Sequence, residues 1–443
     1  MGLLTQAPKG TQDILPCDSY RWSVLEDVIL DEAALQGFRE IRTPVFEHTE
    51  LFQRSVGETT DVVQKEMYTF LDKGGRSITL RPEGTAGAVR AMLEHALYNE
   101  GFPVKLSYLT SCYRYENTQK GRLREFHQFG AEIFGTASPV ADAELIELAH
   151  SIFERLGVQN LSLELNSIGC PSCRATYHAA LREYFIAQQK DLCDTCLTRL
   201  ERNPMRILDC KNPRCGEIAD KAPLMQDYLC SECREHFSQV QSYLSAVGIP
   251  FSINPRIVRG LDYYTRTVFE FISSDLGAQS TVCGGGRYDG LVEQMGGAPT
   301  PALGFAIGLE RLLLILQAQK VEIPQPDPCE LYIASLGDAA QKKAFELAQE
   351  VRRCALPAQC DICGRGLKAQ MKYADKIGAR FTLVLGDNEL AEQKAVLKNM
   401  KTGETRPIRL GNFFLEDFIT AITETQQQEL ASAGNCSCGE THL

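Results

Sequence analysis

The segment YRYENTQKGRLREFHQFGAEIF, which runs from Tyr113 to Phe134, has the pattern of two strands joined by a loop. Its first residues end a strand, and a polar loop at residues 117–121 leads the chain into a returning strand. Because side chains alternate between the two faces of a strand, Gln128, Gly130 and Glu132 share one face. The pattern predicts that these residues line one pocket.

Other strand-like segments are separated by turns and helical stretches, without a regular alternation of strand and helix. This pattern favours an α+β domain, an antiparallel sheet flanked by helices, over a doubly wound parallel sheet. We expect this domain to cover residues 1–325. The predicted strands are Ile78 to Leu80, Val104 to Leu109, Arg124 to Ile133 and Thr267 to Ile272, and the first predicted helix is Ser19 to Leu35.

Two further regions differ in composition from this domain. Residues 168–246 are rich in cysteine and have mostly helical spacing, which predicts an inserted subdomain. The proline-rich segment IPQPDP, at residues 323–328, is a domain boundary because it cannot continue a helix. We expect a compact α/β domain at residues 329–425 and a mobile polar tail at residues 426–443.

The bulk composition is that of a globular protein with a sizeable core. The 443 residues are 44% hydrophobic and 23% charged, and no apolar run approaches the length of a membrane span. We therefore expect a cytoplasmic protein that does not bind membranes. The formal net charge of -11 argues weakly against nucleic-acid binding, although a phosphate backbone responds to local basic surface rather than to net charge.

Common nucleotide-binding loops are absent from the sequence. No G-x-x-x-x-G-K-[ST] motif occurs, and the glycine-rich run from Gly284 to Gly290 does not fit the G-x-G-x-x-G fingerprint. These observations argue against a P-loop kinase and a Rossmann dehydrogenase. Arginines and carboxylates instead lie in turns and strand ends, at Arg81 to Thr85, Arg114 to Glu116, Arg259 to Arg266 and Gly304 to Arg311.

These segments resemble, in order, the signatures of class II aminoacyl-tRNA synthetases, and of the histidyl-tRNA synthetase family in particular. Residues 113–134 resemble motif 2 and residues 301–314 resemble motif 3 of that class. Residues 259–265 and 284–291 resemble the two segments that distinguish the histidyl enzymes, and residues 9–13 resemble their N-terminal segment.

The resemblance implies that histidine is activated with ATP and then transferred to the 3′ end of tRNA(His). It implies catalytic roles at the α-phosphate for Arg259 and Arg114, because fixed guanidinium groups neutralise charge that develops on phosphate. It places Glu116, Arg122 and Arg311 around ATP, and Gln119 and Lys120 at the tRNA acceptor end. The implied histidine-binding residues are Glu83, Thr85, Gln128, Glu132, Arg259, Tyr263, Tyr264 and Tyr288.

The family also implies tRNA, L-histidine and ATP with Mg²⁺ as partners, and a homodimer whose interface motif lies near residues 37–44. The C-terminal domain resembles the family's anticodon-binding domain. A basic cluster in that domain suits contact with an RNA backbone, and consists of Arg365, Lys368, Lys372, Lys376 and Arg380.

Two alternatives come from other functional classes. One is a non-catalytic synthetase paralogue that acts as a regulatory subunit in histidine biosynthesis. Such paralogues typically lose the arginine segment and the C-terminal domain, and this chain has both. The other is a zinc-dependent RNA-binding protein with the synthetase fold, which the three arginines at positions 114, 259 and 311 argue against.

The chain has 17 cysteines, and closely spaced cysteines in a reducing compartment indicate metal binding or free thiols. The spacings in the inserted subdomain fit two tetrahedral four-sulfur sites of structural zinc, and unligated thiols are the alternative. The spacing does not determine which pairs combine. The candidate ligands are Cys170, Cys173, Cys193, Cys196, Cys210, Cys215, Cys230 and Cys233, whereas Cys360 and Cys363 have no second pair.

Overall fold

The computed structural model describes residues 4–434, except 58, 59, 61, 211, 260, 280 and 327. The chain divides into two compact units, Met1–Pro324 and Gln325–Leu443. Within the described residues, no helix has both the length and the apolar character that crossing a membrane requires.

The first unit is built around two sheets. Their strands are β1 (Arg39–Glu40), β2 (Phe46–His48), β3 (Thr69–Leu71), β4 (Ser77–Leu80), β5 (Val104–Tyr113), β6 (Glu125–Phe134), β7 (Leu161–Ser167), β8 (Ser252–Ile253), β9 (Thr265–Ser273), β10 (Thr281–Arg287) and β11 (Ala302–Gly308). The eight-stranded sheet has the order β1-β5-β6-β11-β10-β9-β7-β8, and the three-stranded sheet has the order β2-β4-β3.

The prediction of an antiparallel sheet is confirmed for the six central strands, which pair antiparallel throughout. The two edges differ, because β1 runs parallel to β5 and β8 runs parallel to β7. Parallel neighbours need a long crossover segment. The cysteine-rich insertion supplies such a crossover between β7 and β8.

Helices cover one face of the large sheet. Alternate residues of β6, including Phe129 and Ile133, are buried in the same cluster as Leu25 and Ile29 of the first helix. The opposite face of β6 is therefore left for the polar residues between them. The helices of this unit are α1 (Ser19–Leu35), α2 (Thr49–Val56), α3 (Thr85–Glu94), α4 (Pro139–Arg155), α5 (Pro171–Ala187), α6 (Asp194–Arg202), α7 (Pro213–Ala219), α8 (Ser231–Ala246), α9 (Leu291–Gln294) and α10 (Leu309–Ala318).

Arg81, directly after β4, ties three segments together. Its Nε donates to the carbonyl oxygen of Ser111 at 2.6 Å, and its Nη1 donates to those of Thr43 and Pro44 at 2.9 and 3.1 Å. The side chain is buried. These bonds satisfy N–H donors of the buried guanidinium group. They also fix the segment that carries Glu83 against β5.

The second unit contains a five-stranded sheet with helices. Its elements are β12 (Leu331–Ser335), α11 (Asp338–Arg353), β13 (Ala358–Cys360), α12 (Leu367–Lys376), β14 (Phe381–Leu385), α13 (Asp387–Glu392), β15 (Lys394–Asn399), β16 (Thr405–Arg409) and α14 (Phe414–Gly434). The sheet order is β13-β12-β14-β15-β16; the first three of these strands are parallel, and β15 and β16 are antiparallel.

The end of the chain differs from the predicted mobile tail over part of its length. Residues 426–434 continue helix α14, whose first turns bury Phe414 and Phe418 against the sheet. An apolar start that docks on the core lets the polar end extend as helix. Residues 435–443, which include Cys436 and Cys438, lie outside the described residues.

Candidate active site

The hairpin of β5 and β6 forms the floor of the site. Its antiparallel register places Tyr108 opposite Gly130, Thr110 opposite Gln128, and Leu106 opposite Glu132. Because Phe129, Ala131 and Ile133 face the helices, the predicted set at positions 128, 130 and 132 shares the other face. Of these three residues, Gln128 lines the cavity, whereas Gly130 and Glu132 lie behind its lining.

A cavity of about 280 Å³ opens over this hairpin. It is bounded by parts of β5, β6, β10 and β11, by the start of α10, and by the segment that precedes β9. The structure thus brings distant parts of the sequence to one place. The predicted site residues that line the cavity are Glu83, Thr85, Arg114, Glu116, Arg122, Gln128, Arg259, Tyr263, Tyr264 and Arg311.

Arg114, Arg122 and Arg311 form a positively charged region on one side of the cavity. Arg114 Nε donates to the carbonyl oxygen of Pro82 at 2.8 Å, and Arg311 Nη1 donates to that of Thr281 at 2.7 Å. Burial lowers the pKa of Arg311, and the charges of Arg122 and Arg114 lower it further. A polyanion relieves such mutual repulsion, so this side of the cavity suits phosphate groups.

Glu116 is the carboxylate between these arginines. It forms an ion pair with Arg122, and its Oε1 lies 3.9 Å from Arg114 Nη1. The guanidinium of Arg114 also lies 5.4 Å from the ring centre of Phe126, which lines the cavity. One carboxylate orders two guanidinium groups without cancelling their combined charge.

Arg259 also lines the cavity and pairs with Glu270 of β9. Burial opposes its charge, but Tyr264 and Glu270 more than offset this and raise the pKa of Arg259. Its Nε is buried without a hydrogen-bond partner among the described residues. A Cβ atom at Gly284 would collide with the guanidinium, so glycine is what lets β10 approach it.

A buried carboxylate, Glu132, collects three hydroxyl donors. Thr85 Oγ1 and Tyr108 Oη each donate to Glu132 Oε1 at 2.8 Å, and Tyr288 Oη donates to its other oxygen. Burial raises the pKa of Glu132 to about 8, although the three hydroxyls act in the opposite direction. A Cβ atom at Gly304 would overlap this carboxylate.

Glu83 is the second buried carboxylate at this end of the cavity. It accepts hydrogen bonds from the backbone N–H groups of Thr85 and Ala86 at 2.7 and 2.9 Å. Burial raises its pKa, and those hydrogen bonds oppose the shift. Two buried carboxyl groups close to one another form a site for a cation such as an ammonium group.

Three tyrosines form the wall next to these carboxylates. The ring centres of Tyr263 and Tyr264 lie 4.7 Å apart, and that of Tyr288 lies 5.4 Å from Tyr263. Tyr263 and Tyr264 line the cavity, whereas Tyr288 lies behind it and reaches the site through Glu132. Such a wall combines flat apolar surface with polar hydroxyls, as a small aromatic ring with nitrogen atoms requires.

Some predicted residues lie outside the cavity. Gln119 and Lys120 are exposed in the turn between β5 and β6, where Gln119 bridges to Arg122. His127 lies on the other face of β6, as the alternation predicts. Its Nδ1 is 2.8 Å from a carboxylate oxygen of Glu310, and its ring contacts that of Trp22.

Sequence reasoning missed three residues that shape the site. Tyr108 and Phe126 line the cavity, and Glu270 pairs with Arg259. Tyr108 lies within the predicted strand from Val104 to Leu109, but its position opposite Gly130 depends on the register of the two strands. No local pattern distinguishes Glu270, because its role depends on the pairing of β9 with β10.

The eight cysteines of the insertion form two groups, each with sulfur atoms within 4.8 Å of one another, and each group could hold a metal ion. The groups are nested rather than sequential, so the outermost pairs combine. Cys360 and Cys363 do not belong to such a group within the part of the chain that the structure describes. The outer group is Cys170, Cys173, Cys230 and Cys233, and the inner group is Cys193, Cys196, Cys210 and Cys215.

The predicted basic cluster of the second unit is only partly available for binding. Lys368, Lys372 and Lys376 are exposed at four-residue spacing on α12 and therefore share one face. Arg365 and Arg380 instead form ion pairs with acidic residues of the same unit.

The architecture is that of a class II aminoacyl-tRNA synthetase. It combines a large, mainly antiparallel sheet, whose open face carries an arginine-lined cavity, with a separate α/β unit. The Histidyl-tRNA synthetase family matches residues 10–312, and the Anticodon binding domain family matches residues 330–424. The chain belongs to the histidyl-tRNA synthetase family.

Individual relatives agree with this assignment. A Histidine--tRNA ligase of Clostridium novyi is 55% identical over 407 residues, which cover 92% of this chain and 97% of that protein. The Acetivibrio thermocellus ligase is 55% identical over 408 residues, covering 92% and 98%. The structure of apo histidyl-tRNA synthetase from S. aureus superimposes with a TM-score of 0.80 at 39% identity, covering 94% of this chain and 100% of that one.

Proposed function

We propose that this enzyme activates L-histidine with ATP to form histidyl-adenylate and pyrophosphate, and then transfers histidine to the 3′ end of tRNA(His). The observation that carries the proposal is that Arg114, Arg259 and Arg311 line the same cavity as Gln128 and Tyr264. One cavity thus offers both a site for phosphates and a polar pocket for an aromatic amino acid.

In the activation step, a carboxylate oxygen of histidine attacks the α-phosphorus of ATP and forms a new O–P bond. The bond from that phosphorus to the bridging oxygen breaks, and pyrophosphate leaves with the electron pair. Arg259 and Arg114, which line the same cavity, neutralise the charge that develops on the phosphoryl oxygens. Arg311 binds the γ-phosphate, while Glu116 and Arg122 orient the nucleotide.

The ammonium group of histidine donates to Glu83, Thr85 and Glu132. Burial disfavours the ionised form of the two carboxyl groups, and the bound ammonium group favours it. Gln128 and the tyrosine wall of Tyr263, Tyr264 and Tyr288 surround the imidazole. A pocket that hydrogen-bonds a polar ring rejects apolar analogues, because its own groups would be left unpaired.

In the transfer step, a terminal hydroxyl of tRNA attacks the carbonyl carbon of the adenylate, and AMP leaves as the ester forms. Gln119 and Lys120 contact the acceptor end from their exposed turn. Lys368, Lys372 and Lys376 on the exposed face of α12 contact the RNA backbone near the anticodon, because exposed lysines attract phosphates through their charge.

Magnesium would enter with ATP, and the cavity-lining carboxylates that could offer it oxygen ligands are Glu116 and Glu310, which contact Arg122 and His127 in this structure. When bound, magnesium would neutralise part of the negative charge of the triphosphate. The cysteine groups of the insertion are the candidate sites for a structural metal.

The functional molecule is a homodimer with residues 37–44 at its interface, and it acts in the cytoplasm, where translation takes place. The proposed interface segment contains β1, the short strand at the edge of the large sheet. We favour the ligase over a regulatory paralogue because the Arg259 segment and the C-terminal unit are both present.

The test is amino-acid-dependent exchange of labelled pyrophosphate into ATP, followed by attachment of labelled histidine to tRNA(His). We expect exchange with histidine and none with the other standard amino acids. Exchange without charging of tRNA would refute the second step alone. Absence of histidine-dependent exchange in folded enzyme would refute the proposed function and support the regulatory paralogue.

A further inference from the structure

Both cysteine groups of the insertion have the architecture of a closed metal site. In the outer group, Cys170 and Cys230 occupy the N-cap positions of α5 and α8. Their partners Cys173 and Cys233 lie in the first turn of these helices. In the inner group, Cys193 caps α6. Helix N-termini stabilise the thiolate form that binds metal.

The sulfur geometry fits a tetrahedral ion better than a disulfide. A Zn–S bond of about 2.3 Å gives S···S edges of about 3.8 Å in a regular tetrahedron. Cys170 Sγ and Cys173 Sγ are 3.5 Å apart, and Cys193 Sγ and Cys210 Sγ are 3.8 Å apart. A disulfide would require about 2.0 Å.

Backbone amides complete the surroundings of the sulfur atoms. The N–H of Cys230 donates to Cys173 Sγ at 3.1 Å, and that of Cys193 donates to Cys215 Sγ at 3.3 Å. Such outer hydrogen bonds orient ligands and offset their charge. Four sulfur ligands leave no open position, so an ion in either group would be structural rather than catalytic.

Each group adjoins a contact to the segment that carries the tyrosine wall. Next to the outer group, Arg174 Nη1 donates to the carbonyl oxygen of Tyr264 at 3.0 Å. After α6 of the inner group, Arg206 Nη2 and Asn203 Nδ2 donate to Asp262 Oδ1 at 3.0 and 3.3 Å. The insertion therefore holds the segment at both Asp262 and Tyr264.

We propose that the insertion is a two-zinc module, with one structural zinc ion in each cysteine group, and that both ions position the segment 261–264 for histidine binding. The metal content does not depend on the proposed function. The effect on histidine binding rests on the proposed function.

The first test is metal analysis of the full chain, purified under reducing conditions without added metal. We expect two zinc ions per chain, released when an organomercurial titrates the thiols. The variants C170S/C173S and C193S/C196S should each retain one ion, and C360S/C363S, the control, should retain both. Wild-type enzyme without zinc, or with iron in its place, would overturn the proposal even if the cysteine variants did not fold.

The second test separates positioning from metal binding. Arg206→Gln leaves every cysteine in place, so we expect two zinc ions, a histidine KM raised about tenfold and a smaller change in the KM for ATP. Arg202→Gln, at an exposed position on α6, is the matched control. An unchanged histidine KM in Arg206→Gln would refute the positioning role. If wild-type enzyme showed no pyrophosphate exchange, the proposed function would fail while the zinc count stood.

Discussion

Tyr108 reaches across Gly130 to donate a 2.8 Å hydrogen bond to Glu132, although its direct partner in the strand register is Gly130. The ring occupies the space that a side chain at Gly130 would fill, and a Cβ atom there would collide with it. The glycine is therefore a requirement of the carboxylate site, since it admits the hydroxyl donor.

Gly130→Ala should displace the Tyr108 ring and weaken histidine binding. Overpacking of a buried site costs about 1–3 kcal/mol, so we expect a lower melting temperature together with a raised histidine KM. Gly216→Ala in α7 is the control, because its Cβ meets open space. Equal histidine KM values for Gly130→Ala and wild-type enzyme would contradict this account.

The hairpin at residues 113–134 could be predicted because its alternation and turn are local features of the sequence. The hydrogen bond from Tyr108 to Glu132 could not be predicted, because it depends on which residues of the two strands face each other. The pairing of Arg259 with Glu270 has the same origin, because it depends on how the segment before β9 folds back onto that strand.

The cysteine pairing illustrates a different limit of sequence reasoning. The spacing of Cys170, Cys173, Cys193 and Cys196 alone fits a single four-sulfur site, yet these pairs belong to different groups. The nested arrangement arises because the insertion brings the N-terminal ends of α5 and α8, which carry the outermost pairs, close together. Helix packing in a long insertion is not encoded in the spacing of its cysteines.

Histidine binding should become tighter as the pH rises from about 7 to about 8. Burial raises the pKa of Glu132 to about 8, so the empty site holds a largely neutral carboxyl near neutral pH. The ammonium group of histidine favours the carboxylate, and binding therefore releases a proton. Calorimetry in two buffers of different ionisation enthalpy measures that release, and Glu132→Gln should abolish most of it.

The same raised pKa predicts a trend in stability. An ordinary glutamic acid has a pKa of about 4.3, so Glu132 favours the folded state most strongly below that pH. The contribution is lost as the pH rises through about 8. Melting temperatures measured across this range should fall less in Glu132→Gln than in wild-type enzyme, and identical slopes would argue against a raised pKa.

Arg259→Ala should abolish adenylate formation without unfolding the protein. Removing one fixed donor to a developing oxyanion costs about 10²–10³-fold in rate, and Arg259 carries a full charge as well. Its partner Glu270 still accepts a 2.9 Å hydrogen bond from Thr281 Oγ1. Pyrophosphate exchange and circular dichroism are the measurements, with Arg256→Ala, a half-exposed arginine that pairs with Asp220, as the control.

Replacing Lys368, Lys372 and Lys376 with alanine should raise the KM for tRNA in aminoacylation and leave pyrophosphate exchange unchanged. Each lost phosphate contact should reduce the slope of binding against salt by about one. Lys342→Ala, an exposed lysine on α11, is the control. A parallel loss of exchange would mean that the lysines support the fold rather than bind RNA.

Arg287 should prove essential to stability rather than to chemistry. It is fully buried, its Nη2 lies 2.7 Å from Asp142 Oδ2, and its Nη1 donates to the carbonyl oxygen of Thr136. His236 Nε2 lies 3.3 Å from the same carboxylate oxygen. Arg287→Met would leave the buried Asp142 without its main cation, at a cost of about 3–5 kcal/mol.

The double variant Arg287→Met/Asp142→Asn distinguishes an uncompensated charge from lost packing. Burial opposes ionisation of Asp142, but His236 and Arg287 outweigh it and lower its pKa, so the single variant should lose most stability above the acidic range. Neutralising Asp142 removes the isolated charge and should restore part of the melting temperature near neutral pH. If the double variant were no more stable than Arg287→Met, the cost would lie in the lost hydrogen bonds to backbone carbonyls, and the charge argument would fail.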